Sequence, residues 1–180
     1  MKGKIFFCLV FFIGSLSSLL AQNITYSEVE KADNKNMTFE IVGKFSGNFI
    51  VYKYLYNDHK ITIYDNDMVV KESIKLDFIS DKTNNIDFIA YSDNFLMVWQ
   101  YQRKNIIYCK AARMNSQGKQ IGDVIAMDST KEPAFSANIY YSFKWSEDKK
   151  KLLMYKYSNK NDAFNLITKV YDENVKCFFS

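Results

Sequence analysis

Phe95-Leu96-Met97-Val98-Trp99 places apolar side chains at five consecutive positions, and Phe49-Ile50-Val51-Tyr52 and Leu152-Leu153-Met154-Tyr155 do the same over four. Neighbouring residues of a strand point to opposite faces, so each run needs cover on both sides. A sheet with one wet face would instead show alternation. Sheets stacked face to face meet the requirement.

Each run follows an aromatic residue, a serine and a short polar turn: Phe45-Ser46-Gly47-Asn48, Tyr91-Ser92-Asp93-Asn94 and Trp145-Ser146-Glu147-Asp148. Self-similarity at a spacing of several tens of residues marks an array of supersecondary units. Turn chemistry then divides each unit into four strands. The first unit offers Phe39 to Lys44, Phe49 to Leu55, Lys60 to Tyr64 and Met68 to Glu72. The second offers Ile86 to Tyr91, Phe95 to Tyr101, Asn105 to Met114 and Gln120 to Met127, and the third Asn138 to Lys144, Leu152 to Ser158, Phe164 to Tyr171 and Val175 to Phe179. A loop from Ser129 to Phe135, holding the only proline, Pro133, separates the last two units. In the third strand of the first unit, Ile61 and Ile63 alternate with Thr62 and Tyr64, which predicts a position nearer the rim.

The expected fold is all-β: three consecutive four-stranded antiparallel meander units, over roughly 38–80, 85–128 and 137–180, stacked as a partial or open β-propeller. A β-sandwich or open barrel is the competing architecture. Closed propellers use about four to eight blades. Three blades leave apolar end faces, and the sequence halts in the apolar stretch Cys177-Phe178-Phe179-Ser180. The expectation is therefore either the front part of a longer protein or an arc completed by self-association with another copy.

The segment Trp145-Ser146-Glu147-Asp148-Lys149-Lys150-Lys151-Leu152-Leu153-Met154-Tyr155 resembles the aromatic-Ser-Pro-Asp-Gly-Lys turn and following strand of exported TolB-type and WD-repeat-like β-propellers. Glu147 stands for the proline and Lys149 for the glycine, the other two copies shorten the turn, and no Trp-Asp dipeptide closes a third strand. The resemblance implies blade architecture. It implies no activity, because proteins of unrelated function share the motif.

Residues 1–21 read as an export signal: Lys2 and Lys4 come first, Ile5 to Ile13 form the apolar stretch, and Leu19-Leu20-Ala21 precedes the expected cleavage. The protein is thus expected to be exported, with no stable membrane span after cleavage. Residues 22–37 form a polar lead-in, within which Ser27 to Lys35 is the single short helix candidate. The remainder, 38–180, is the β-repeat domain. Loss of the signal leaves 22 basic against 20 acidic residues, too even a balance for nucleic-acid binding. Cys109 and Cys177 each lie in an apolar segment and read as buried free thiols.

His59 is the only histidine and sits in Asn57-Asp58-His59-Lys60, where it reads as a solvated turn residue. The acidic pairs Asp65 with Asp67, Glu147 with Asp148 and Asp172 with Glu173 also fall at turns. Asp65-Asn66-Asp67 begins like a calcium loop, but Met68-Val69-Val70 follows where further oxygen ligands belong. No phosphate loop, Cys-x-x-Cys pair or dinucleotide fingerprint occurs, so neither a cofactor nor a metal is expected. Of the aromatic residues, Trp99 and Tyr101 share a strand face and are the ligand-contacting candidates. The sequence thus points to an exported binding or scaffolding module for a protein or carbohydrate ligand, without intrinsic catalysis. The alternatives are the leading propeller part of a secreted hydrolase and a self-associating surface protein.

Overall fold

A computed structural model describes residues 24–28, 37–80, 82–131, 141–160 and 163–179. The export signal, most of the polar lead-in with its helix candidate, and the proline-bearing stretch 132–140 lie outside the described residues. Among those described, all regular structure is β. The first sheet contains β1 (Thr38–Phe45), β2 (Asn48–Leu55), β3 (Asp58–Tyr64) and β4 (Val70–Lys75). The second contains β5 (Thr83–Ala90), β6 (Asn94–Arg103), β7 (Ile106–Asn115) and β8 (Gln120–Lys131), and the third β9 (Ser142–Trp145), β10 (Lys151–Lys160), β11 (Ala163–Asp172) and β12 (Cys177–Phe179). Each sheet is an antiparallel meander in chain order. Among the described residues the sheets remain separate and no barrel closes, an open, partial propeller-like arrangement.

The consecutive apolar positions of β6 explain the stack. Phe95, Met97 and Trp99 pack with Ile50, Tyr52, Ile61 and Ile63 of the first sheet. Leu96 and Val98 point the other way, into a cluster with Leu152, Met154 and Tyr171 of the third. Each cluster joins only adjacent sheets, with the middle sheet contributing to both. Burying each such side chain is worth about 1.5–3 kcal/mol, so β6 alone ties together both seams.

The flanking sheets depart from the expected double cover. On the outer face of the first, Phe39 and Ile41 are both 64% exposed, and Lys44 and Lys53 lie over the rings of Phe49 and Tyr64, 4.7 and 5.2 Å from the centroids. On the third, Tyr157, Leu166 and Phe179 are exposed. The expected rim position of β3 is also corrected: Ile61, Thr62, Ile63 and Tyr64 are all buried, and the wet strand is β4. The expected loop at Ser129 begins later, because β8 pairs with β7 as far as Lys131. Cys177 is exposed, contrary to the expected burial, because its short edge strand β12 is wet throughout.

One turn recurs in every unit, between the third and fourth strands. Asp65 accepts hydrogen bonds from the backbone N–H groups of Asp67 and Val69, both at 2.9 Å. Asn115 accepts from Gln117 and Lys119, and Asp172 from Asn174 and Lys176, at the same offsets. Three residues after each of these, Met68, Gly118 and Val175 take positive φ of 59°, 69° and 63°. The carboxylates of Asp65 and Asp172 are thus turn-formers.

Candidate functional site

Two clefts open along the seam between the first and second sheets. The first, of about 310 Å³, is lined by Glu40, Tyr52, Tyr54, His59, Thr83 and Asn85 among others. The expectation of a solvated His59 is overturned here: its side chain is 4% exposed, its Nδ1 lies 2.7 Å from the Tyr52 hydroxyl, and its ring packs 4.7 Å from that of Tyr54. His59 is the second residue of β3, two before Ile61, so the pleat turns it to the same inward face. Desolvation, then the neighbouring charge of Asp87, holds the Glu40 carboxyl above its ordinary value. Burial likewise raises Asp87, although the Asn85 amide donates to it at 2.9 Å. Burial also pushes the Tyr52 phenol well above its usual range.

The second cleft is larger, about 430 Å³, and is lined by residues of the connection between β4 and β5 together with residues of β6 and β7. Three cations from separate segments line it: Lys82 of the connection, Arg103 at the end of β6 and Lys110 of β7. Tyr101 lines it as well, stacked 5.2 Å from Tyr108 and with Lys110 Nζ 5.4 Å from its ring centroid. Phe78 and Ile79 supply an apolar wall, Phe78 packing 5.7 Å from Trp99. Asp77 also lines it and lies 4.0 Å from Lys75. Among the described residues, no carboxylate pairs with Lys82, Arg103 or Lys110.

The structure separates the two sequence candidates. Trp99 is 1% exposed and belongs to the core of the seam, whereas Tyr101, two residues on, reaches the mouth. The three cations were not apparent in the sequence, where Arg103-Lys104 reads as a turn. Only the pairing of Trp99 with Lys110 and Tyr101 with Tyr108 across β6 and β7 brings Lys110 beside Tyr101.

The second seam contains a different polar group. Asp128 of β8 accepts from Lys156 Nζ at 2.7 Å and Lys169 Nζ at 3.0 Å, and Lys156 also donates to Thr130, which is hydrogen-bonded to the Tyr141 hydroxyl. Burial opposes ionisation of Asp128, but hydrogen bonds from the two lysines hold its carboxyl below the usual range. These groups satisfy one another inside a sheet-to-sheet contact, so they cross-link it rather than open to solvent. Among the described residues, no group of three or more His, Cys, Asp or Glu side chains could hold a metal ion, and no helix is long and apolar enough to cross a membrane. No family model, curated protein or solved structure matches the chain.

Proposed function

We propose that the protein is an exported β-propeller-like binding module that takes its ligand in the Tyr101 cleft and performs no chemistry of its own. The observation carrying this reading is the convergence of Lys82, Arg103 and Lys110 on a cleft of small-molecule size whose one lining carboxylate, Asp77, forms its ion pair with Lys75 instead. Cations needed only for solubility would be spread over the surface rather than gathered. The blade-like stacking and the turn resembling that of TolB-type propellers support an architecture that presents sites at the seams between sheets. The test is amide-resolved NMR of the purified protein against panels of soluble glycans and short peptides. Shifts clustered at Phe78, Lys82, Tyr101 and Lys110, and lost in Tyr101→Ala, support the reading. Binding that leaves these amides unmoved defeats it.

A second reading, closure of the arc by another copy, is favoured by Phe39 and Ile41 on one end face and Leu166 and Phe179 on the other. Within the chain, sheets already meet twice through such faces. Light scattering separates the cases: a dimer that dissociates in Ile41→Lys supports closure, and a monomer at all concentrations rules it out.

A further inference from the structure

We infer that the group recognised in the Tyr101 cleft is an oxyanion, a carboxylate or a phosphate, carried on a compact polar ligand. The inference rests on the binding reading above and specifies its chemistry. Like charges in one cleft repel, so gathering three of them carries an electrostatic cost that an incoming anion removes. Arg103 offers the planar fork suited to two oxygens, while Lys82 and Lys110 act as point donors from either side. Lys110 is positioned by its placement over the Tyr101 ring, which is itself fixed against Tyr108. Asp77 also lines the cleft, but its ion pair, at 4.0 Å, is with Lys75 and not with any of the three, so the cations outnumber the lining carboxylate. The Phe78 wall suits the carbon skeleton of the ligand, so the full cleft reads an anionic head on a small body.

The same chemistry arises from a sugar acid, a phosphate ester or free phosphate, and four probes distinguish these sources: glucuronate, glucose 6-phosphate, glucose and inorganic phosphate. Each is titrated against the full chain by NMR or calorimetry at about 0.01 and about 0.15 M ionic strength, between which the screening length falls from about 30 to about 8 Å. The expected result is saturable binding of at least one anionic probe, at least tenfold tighter than glucose and weakened by salt. Arg103→Gln and Lys82→Gln, both at exposed positions, should each lower the affinity about tenfold, the scale of one charge-assisted hydrogen bond. Lys110→Met should do the same and also release the Tyr101 ring. Inorganic phosphate binding as tightly as glucose 6-phosphate keeps the inference and assigns the site to the free ion. Glucose binding as tightly as the anions overturns it and leaves the binding-module reading standing. Failure of all four probes at these amides overturns it too, and the glycan and peptide panels then decide the broader reading separately.

Discussion

The carboxamide of Gln100 is paired with both backbone groups of Tyr141. Its Nε2 donates to the Tyr141 carbonyl at 3.1 Å and its Oε1 accepts from the Tyr141 N–H at 2.9 Å. The side chain of a β6 residue thereby acts as a one-residue strand partner for the chain entering the third sheet. Gln100 breaks the apolar series of β6, and its buried polar atoms are matched by backbone groups that would otherwise be buried unpaired. Gln100→Leu should cost about 1–3 kcal/mol in urea unfolding, and amide exchange should rise first around Tyr141 and β9.

Asp128 links the same two sheets by charge. Its folded carboxyl lies below the ordinary value, so its contribution is present above about pH 3.9 and is lost as the pH falls through the lower folded value. Asp128→Asn removes the counter-charge of Lys156 and should cost about 3 kcal/mol at neutral pH. Thermal unfolding across pH checks this, with the gap to wild type closing only in acid below about pH 3.9.

Asp87 has the opposite sign. Its folded value is raised, so wild type gives up stability as the pH climbs from about 3.9 through that raised value. Asp87→Asn should keep the Asn85 contact through its carbonyl oxygen and melt slightly higher at pH 7. The gain should be much smaller than the Asp128→Asn loss and should vanish in acid.

Gly118 and Gly122 share a φ of +69°, but a Cβ at Gly118 would lie 2.8 Å from Cγ2 of Ile61 in the first sheet, whereas one at Gly122 meets nothing within 4 Å. Gly122→Ala should cost about 1 kcal/mol for backbone strain. Gly118→Ala should add about 1–3 kcal/mol of overpacking. Denaturant melts of the two variants separate conformation from contact.

The thiols should react unequally. Cys109 is buried and burial pushes its thiol far above the usual range, while Cys177 is exposed. Brief alkylation followed by peptide mass mapping should find Cys177 labelled and Cys109 intact until the protein is unfolded.

The twelve strands of the described residues are legible in the sequence, because the apolar runs and polar turns are strong local signals. The Asn57-Asp58 dipeptide before His59 signals a turn, whereas the alternation His59, Ile61, Ile63 sets the histidine on the inward face. The shared Asx turn is carried by one polar residue and a positive φ that falls on Met, Gly and Val, so no consensus reveals it. The Tyr101 cleft is still less legible. Its cations come from a connection and two strands, and only the register of β6 on β7 and the placement of Lys82 beside them assemble them. Local chemistry specifies the ribbons, whereas the cleft depends on where one sheet ends above another.

The middle sheet lends a face to each neighbour, and neither hydrophobic cluster spans all three. Tension applied across the stack therefore loads two contacts in series, and the extension at first yield is governed by the weaker of them. Each outer blade is in this sense a passenger that can come off while the central one keeps its shape, so partial shedding precedes collapse.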